Sequence, residues 1–252
     1  MYKILEGKFA KWNPVTGCLN YCDYCYARKF AARFDGCWNQ SKGINVFKEI
    51  GVLRDLGTPQ RFETKKGNII KAPFPYGFDP TFHRSRLAEP TGKKQPQNIF
   101  VCSMADLFGD WVPDEWIKMV FEACMKAPQH RYLFLTKNPD RYDDFFRCWE
   151  APENFYFGTT IVNDKQDYYY SNMNNTFLSI EPIQDDFSEQ WEIKSVNWVI
   201  IGAETGNRKN KIIPERKWIE NIVRYCHAAN VPVFVKSSLQ EIWGEPLIQE
   251  YP

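Results

Sequence analysis

The chain has 252 residues and carries 32 basic against 31 acidic residues, a formal net charge of +1. A charge so close to zero excludes whole-molecule attraction to nucleic acid, so binding of that kind must depend on local patches. Hydrophobic residues make up 44% of the chain, which suits a packed α/β domain, and no apolar run approaches the roughly 18 residues of a membrane span.

Cysteine content and the N-terminal segment indicate the compartment. Eight cysteines in a chain of this length do not fit a disulfide framework, which is typical of short secreted scaffolds. The N-terminal segment MYKILEGKFAKW has no apolar stretch of the kind that a signal peptide needs. We therefore expect a cytoplasmic protein with reduced thiols and no membrane partner.

The first predicted strand, near Lys8–Asn13, leads into three closely spaced cysteines. Cys18, Cys22 and Cys25 have the spacing C-x3-C-x2-C. Three thiolates can converge on one soft metal centre, but a closed zinc site or a fully ligated iron–sulfur cluster needs a fourth ligand. Two interpretations follow: a [4Fe–4S] cluster with one open iron, or a zinc knuckle completed by Cys37.

Two helices are predicted after the cysteines. Apolar residues repeat with helical spacing over Tyr26–Phe34, so the cysteine segment runs directly into a helix. A second helix is predicted over Val46–Leu56, where Gly57-Thr58-Pro59 supplies a stop signal.

Residues 60–97 are rich in Pro, Gly and Lys, and the segment is too long for an ordinary connection. We interpret it as a loop-rich insertion within a single domain spanning residues 1–252. Between Arg61 and Pro96 it carries eight basic against three acidic residues, and four aromatic residues are interleaved with them: Phe74, Tyr76, Phe78 and Phe82. The segment either binds nucleic acid through stacking and phosphate contacts, or is a solvated hairpin whose aromatic residues anchor it to the body.

Beyond the insertion the chain becomes regular. Six short apolar runs are typical of buried parallel strands: Asn98–Cys102, Arg131–Thr136, Phe155–Thr159, Thr176–Ile180, Asn197–Gly202 and Val231–Lys236. Amphipathic helices are predicted after Pro113, over Pro139–Trp149 and after Pro214. The alternation predicts an α/β fold, a partial or nearly complete parallel (β/α) barrel of about six or seven strands.

Each predicted strand ends in polar groups, and the active site of a parallel barrel lies at the carboxyl ends of its strands. These strand-end residues are Cys102, Ser103, Asp106, Lys137, Thr159, Thr160, Ser179, Glu181, Gly202, Glu204 and Lys236. Strand ends are also polar simply because they meet water. Because so many predicted strands end in polar residues, we predict a shared pocket.

The segment Cys18-Leu-Asn-Tyr-Cys22-Asp-Tyr24-Cys25 resembles the signature loop of the radical S-adenosylmethionine (SAM) superfamily. Other segments, among them SMADLF, FLSIEP and WVIIGAETG, are similar to a phage-associated and mostly uncharacterised branch of it. The gap between the first two cysteines is shorter than in the commoner pattern of that branch. The resemblance implies a [4Fe–4S] cluster held by three cysteines, with SAM on the open iron. Reductive cleavage of SAM would then yield a 5'-deoxyadenosyl radical.

The resemblance also implies roles for individual residues. Ser103 and Asp106 would meet the methionyl ammonium of SAM, although the usual Gly-Gly-Glu is replaced here. The main chain of Tyr24 would meet adenine, and Gly202 with Glu204 would let the backbone approach the nucleoside. Contacts to ribose or carboxylate are assigned to a further group: Thr159, Thr160, Ser179 and Glu181.

Three residues are candidates for catalytic roles. Lys137 and Lys236 would hold the SAM carboxylate or a substrate phosphate. Cys102 is either a hydrogen-atom donor or a buried packing residue.

The functional hypotheses differ in substrate and in class. The first is a radical SAM enzyme that modifies or repairs a nucleic-acid base or nucleotide. It would receive electrons from a donor such as flavodoxin or ferredoxin. The alternative is the same chemistry on a peptide or small metabolite, with the insertion as a lid. The second alternative is a non-enzymatic zinc- or cluster-binding module.

Overall fold

The computed structural model describes residues 9–33, 52–63, 67–146 and 150–252. Chain contacts separate these residues into two compact units, Ala10–His130 (the first unit) and Arg131–Pro252 (the second unit). Each unit is described in turn. Predictions concerning Phe34, Cys37 and residues 46–51 lie outside the described residues.

Seven strands share one sheet in this order: Ala10–Trp12 (β1), Asn98–Val101 (β7), Arg131–Thr136 (β8), Phe155–Ile161 (β9), Asn175–Ile180 (β10), Trp198–Ile201 (β11) and Val233–Val235 (β12). Every pairing with a described register is parallel. The prediction of an α/β fold with about seven parallel strands is confirmed. Among the described residues no pairing joins β1 to β12. The sheet is therefore open, as in the partial form of the predicted barrel.

The first unit contributes two strands to that sheet and also builds a smaller one. Its strands are β1 (Ala10–Trp12), β2 (Val15–Thr16), β3 (Arg54–Leu56), β4 (Arg61–Glu63), β5 (Ile69–Lys71), β6 (Thr81–His83) and β7 (Asn98–Val101). Helix α1 covers residues 26–33, and α2 is Asp114–Met125. In the smaller sheet β6 lies between β2, which is antiparallel to it, and β3, which is parallel. Strand β2 ends next to Gly17 and Cys18, so this small sheet supports the start of the cysteine segment.

The predicted helix over Val46–Leu56 is wrong in its described part. Arg54–Leu56 form strand β3, which pairs in register with Thr81–His83. The helical spacing of apolar residues was outweighed by hydrogen bonds to a strand that lies 27 residues further along the chain (Arg54 with Thr81). A bidentate ion pair between Asp55 and Arg84, with distances of 2.7 and 2.7 Å, holds the same connection.

The described part of the insertion packs within the first unit. Phe74 and Phe82 are buried, and the guanidinium of Arg54 lies 4.8 Å from the ring centroid of Tyr76. The expectation that aromatic residues anchor this segment is confirmed for the two buried rings. Phe74 and Phe82 are therefore not available to stack on bases.

The second unit contains the rest of the parallel sheet. Its strands are β8 (Arg131–Thr136), β9 (Phe155–Ile161), β10 (Asn175–Ile180), β11 (Trp198–Ile201) and β12 (Val233–Val235). Its helices are α3 (Asp140–Phe146), α4 (Arg216–Ala228) and α5 (Gln240–Trp243). Helix α4 buries Ile219, Ile222 and Cys226 in the same apolar cluster as β11 and β12. This packing arises from the helical spacing of the apolar residues.

Within the described part of the chain, no helix combines the length and apolar character needed to cross a membrane. The cytoplasmic localisation stays a prediction.

Candidate cofactor site

The cysteine segment enters its turn through Gly17. Gly17 has φ +86°, and a Cβ built on it would lie 2.2 Å from the carbonyl oxygen of Asp79 and 2.7 Å from that of Phe78. Its N–H donates to the carbonyl of Met104 at 2.9 Å, and the N–H of Cys18 donates to the carbonyl of Phe78 at 3.2 Å. Only glycine combines this backbone conformation with so close an approach. The start of the cysteine segment is thus fixed between the residues after β7 and those before β6.

A backbone polar group lies near each of the three thiols. The N–H of Asn20 lies 3.5 Å from the Sγ of Cys18, and the N–H of Arg28 lies 3.3 Å from the Sγ of Cys25. Cys22 points its thiol towards the carbonyl of Asn20 at 4.0 Å. All three cysteines are half-buried free thiols. They are therefore reachable from solvent while held on a fixed backbone.

Burial, together with nearby negative charge on Asp106, Cys22 and Cys25, raises the pKa of the Cys18 thiol to about 12, although the hydrogen bond from the Asn20 amide lowers it. Cys22 and Cys25 therefore lie within electrostatic reach of Cys18. A cation or metal at this position would favour the thiolate form.

The residue types and their proximity fit a set of three thiolate ligands, but the observed side-chain arrangement does not. In the described residues no group of three or more His, Cys, Asp or Glu side chains is arranged to hold a metal ion. The Cys22 thiol faces the carbonyl of Asn20. Cys37, the alternative fourth ligand, lies outside the described residues. The assignment of Cys18, Cys22 and Cys25 as metal ligands stays a prediction.

Asp106 joins the cysteine segment to the residues after β7. Its side chain is 5% exposed. One oxygen accepts from the Nδ2 of Asn20 at 2.9 Å, and the other accepts from the N–H of Phe108 at 3.1 Å. Hydrogen bonds to a buried carboxylate offset the cost of removing it from water. Asp106 thus anchors the segment, and its predicted contact with an ammonium group remains untested.

Ser103 is oriented by Asn13, at the end of β1. The Ser103 hydroxyl donates to the Oδ1 of Asn13 at 3.2 Å, and the N–H of Met104 donates to the same oxygen at 3.0 Å. The carbonyl of Ser103 accepts from the hydroxyl of Tyr26 at 2.8 Å. Asp106 and Ser103 therefore both lie on a segment tied to the cysteines. Tyr24 is half-buried in the turn between Cys22 and Cys25.

Cys102 directly follows β7 and has the left-handed backbone angle φ +56°. Its side chain is 3% exposed, and burial raises the pKa of its thiol to about 12. A thiol in this setting stays protonated, which both of its predicted roles require. The structure leaves the choice between hydrogen-atom donor and packing residue open.

In the second unit, three of the predicted residues come together around Glu181. Its Oε1 lies 2.7 Å from the Nζ of Lys236, and its Oε2 accepts from the hydroxyl of Ser179 at 3.2 Å. A Cβ on Gly202 would lie 2.5 Å from the Oε1 of Glu181. The absence of a side chain at Gly202 is what leaves room for the carboxylate. These residues form a partly exposed polar group at the ends of β10, β11 and β12.

The remaining predicted residues of the second unit have individual surroundings. Glu204 forms a bidentate ion pair with Arg208 at 2.8 and 2.7 Å, and its side chain is 3% exposed. The hydroxyl of Thr159 accepts from the N–H of Tyr169 at 3.0 Å. Thr159 and Thr160 are buried in β9, and Lys137 is half-buried directly after β8. The convergence of all strand ends on one pocket stays a prediction.

Sequence reasoning missed Arg28, Asn13 and Asn20. Arg28 donates through Nη2 to the carbonyl of Cys18 at 2.8 Å. It also lies between two aromatic rings, those of Tyr21 and Phe78, with a distance of 4.8 Å to each centroid. No local pattern marks such contacts, because Phe78 is 50 residues away along the chain. Asn13 precedes the cysteine motif and Asn20 lies within it, and these positions were the available signal.

An exposed aromatic and basic face also went unpredicted. Tyr21, Tyr26 and Phe30 are 56%, 55% and 42% exposed. Tyr21 precedes α1, whereas Tyr26 and Phe30 lie on that helix together with the exposed Lys29 and Arg33. We call these five residues the α1 face, and they border the cysteines directly.

These observations define a class: an α/β protein with a parallel sheet whose first strand leads into a three-cysteine segment. A family model described as "Protein of unknown function (DUF5131)" matches residues 6–246, and the chain belongs to that family. No curated protein and no solved structure matches the chain.

Proposed function

We propose that this protein is a radical SAM enzyme that holds a [4Fe–4S] cluster on Cys18, Cys22 and Cys25. The observation that carries the proposal is the mounting of the cysteine segment. Its backbone donates hydrogen bonds to Met104 and Phe78, and its Asn20 side chain donates to Asp106, while its three thiols remain partly exposed. Three cysteines leave one iron of such a cluster open to an outside ligand.

When bound, the cluster would supply the electron that cleaves SAM reductively, which is chemistry that protein side chains cannot provide. The chain's own residues would hold and orient the two cofactors. Ser103 and Asp106 lie on a segment that is hydrogen-bonded to the cysteine segment, which supports their assignment to the methionyl group.

The second unit carries its own proposed contacts to SAM. The group of Ser179, Glu181 and Lys236 presents both a carboxylate and an ammonium, with the Lys236 side chain 46% exposed. Such a pair can exchange its internal contact for contacts to a zwitterionic ligand at little cost, because a partly exposed ion pair contributes only about 0–1 kcal/mol. Thr159, Thr160, Gly202 and Glu204 keep their predicted roles near the nucleoside, and Lys137 keeps its role near a carboxylate or phosphate.

For the substrate we propose a nucleic-acid base or nucleotide, recognised by the α1 face. Exposed aromatic rings interleaved with cations suit bases and phosphates, respectively. The α1 face replaces the insertion as the basis for this proposal, since Phe74 and Phe82 of the insertion are buried. The electron donor is proposed to be a small redox protein such as flavodoxin or ferredoxin.

Anaerobic reconstitution with iron and sulfide tests the chemistry. We expect about four iron atoms per wild-type chain and release of 5'-deoxyadenosine when the reduced protein is given SAM. Alanine variants of Cys18, Cys22 and Cys25 should lose both properties. Cys124→Ala is the matched control, because Cys124 is a buried packing residue of α2.

Two results would overturn the proposal. One is zinc without iron in protein purified free of oxygen, which indicates a structural knuckle. The other is a stable cluster that never cleaves SAM, which indicates an electron-transfer or binding module.

A further inference from the structure

We propose that Arg28 is a positioning residue that clasps the first and third cysteines and holds the cysteine segment in its loop conformation before any metal binds. Its relevance to the cluster depends on the proposed function. The geometry that carries it is independent of that function, since it lies entirely in the metal-free chain.

Arg28 contacts both ends of the cysteine segment at once. Its Nη2 donates to the carbonyl of Cys18 at 2.8 Å. Its backbone N–H lies 3.3 Å from the Sγ of Cys25. A single residue therefore links the first cysteine to the third, and the segment between them is closed into a loop.

Two aromatic rings hold the guanidinium in place. The ring centroids of Tyr21 and Phe78 each lie 4.8 Å from the Cζ of Arg28. A planar guanidinium can stack on an aromatic ring at each face while its edge donates hydrogen bonds, which a lysine ammonium cannot do. The carbonyl of Phe78 also accepts a hydrogen bond from the N–H of Cys18. Phe78 therefore contacts both the Arg28 guanidinium and the backbone of the cysteine segment.

The helix that carries Arg28 is itself fixed. Ala27 and Ala31 of α1 are buried against Phe74 and Met104, and Cys25 packs beside the same cluster. Arg28 thus projects from a packed helix towards the loop. Ordering a flexible segment costs conformational entropy, so a clasp formed in advance removes part of that cost from metal binding.

The test compares the thiol reactivity of metal-free variants. Arg28→Met keeps the aliphatic part of the side chain but removes the guanidinium group. Arg28→Lys keeps the positive charge. Arg224→Met is the matched control, because Arg224 lies 4.9 Å from the ring of Tyr225 and donates to Asn221 in the second unit. Alkylation by iodoacetamide is followed at each cysteine by mass spectrometry.

We expect Cys18 to be alkylated at least about fivefold faster in Arg28→Met and Arg28→Lys than in wild type, because local opening of the loop exposes it. Cys25 should change less, since the backbone N–H of residue 28 remains. Buried Cys124 and Cys226 should stay unreactive, which verifies the fold. Tyr21→Leu, at a residue that is 56% exposed, should give a smaller acceleration without unfolding.

Rates within about twofold of wild type at Cys18 in Arg28→Met, or a wild-type rate in Arg28→Lys, would overturn the clasp. Iron uptake on reconstitution supplies the second readout, and Arg28→Met should retain less iron than Arg224→Met. If wild-type protein takes up no iron, the proposed function fails, while the alkylation rates still decide the role of Arg28.

Discussion

Gly17 has a backbone conformation and a clearance that a side chain would disturb. With φ +86° and the Asp79 carbonyl oxygen 2.2 Å from a hypothetical Cβ, Gly17→Ala combines conformational strain with a backbone clash. Left-handed strain alone costs about 1–2 kcal/mol. We therefore expect Gly17→Ala to reduce the free energy of unfolding by more than about 2 kcal/mol in urea titrations.

Two other glycines separate the cost of backbone strain from the cost of the steric clash. Gly206 has φ +91° with open space around it, and Gly57 has open space without a positive φ. Gly206→Ala should cost only the conformational strain, and Gly57→Ala should be close to neutral. If Gly17→Ala were no worse than Gly206→Ala, the close approach of Asp79 would have no energetic weight.

Asp106 combines an observed anchoring role with a proposed contact to SAM, and two substitutions separate them. Asp106→Ala leaves the Asn20 amide and the Phe108 N–H without their observed acceptor, so it should cost about 1–3 kcal/mol of unfolding free energy. Asp106→Asn can restore both bonds if the Asn20 amide flips, so it should cost less than about 1 kcal/mol.

SAM affinity, measured by calorimetry on the reconstituted protein, then shows the contribution of the Asp106 charge by itself. We expect Asp106→Asn to weaken SAM binding about tenfold, the loss of one charge-assisted hydrogen bond. Asp23→Asn is the control, since Asp23 is an exposed carboxylate in the same segment. Unchanged SAM affinity in Asp106→Asn would restrict Asp106 to anchoring.

At the scale of elements, the strands of the large sheet were predictable because burial on both faces gives continuous apolar runs. Arg131–Thr136 was predicted with the observed bounds, and Val231–Lys236 contained the shorter strand Val233–Val235. Strands β2, β3 and β6 were not predicted, since each has only two or three residues. Pairing between distant segments determines strands that short, and no local pattern records it.

The same distinction between local features and long-range contacts applies to the candidate site. Cysteine spacing and polar strand ends could be read from the sequence because each is local. The pairing of Glu181 with Lys236 joins residues on separate strands, and the clasp of Arg28 needs Phe78 from the insertion. Candidate residues were therefore predictable, whereas their partners were not.

Strand β6 carries a buried histidine that makes the small sheet sensitive to acid. His83 contacts the hydroxyl of Thr16 at 2.9 Å, and burial lowers the pKa of His83 from 6.5 to about 3. Below pH 6.5 His83 becomes protonated in the unfolded chain but stays neutral in the folded chain. Stability is therefore complete above pH 6.5 and is lost as the pH falls towards 3.

Between pH 7 and pH 5 this residue should cost about 2 kcal/mol of unfolding free energy. Urea titrations of wild type and His83→Gln at the two pH values isolate the contribution, because other groups titrate equally in both. We expect the pH-dependent loss to be smaller by that amount in His83→Gln and unchanged in His227→Gln, an exposed histidine. Equal losses in wild type and His83→Gln would show that His83 does not titrate in this way.

At the scale of the whole molecule, a net charge of +1 provides no general attraction to a polyanion. Any binding of single-stranded nucleic acid must therefore arise from few phosphate contacts and depend weakly on salt. Lys29 and Arg33 are the exposed cations of the α1 face. If both contact phosphates, replacing them with glutamine should reduce the slope of log affinity against log salt by about 1.4.

Fluorescence anisotropy with labelled single strands across a salt series measures that slope. Lys118→Gln with Lys126→Gln is the matched control, since it removes the same charge from exposed positions at α2. Phe30→Ala should lower affinity about tenfold with no change of slope, because stacking is insensitive to salt. An equal change of slope in the control pair would mean that the charge acts non-specifically. Absence of binding at low salt would turn the substrate proposal towards a peptide or a small metabolite.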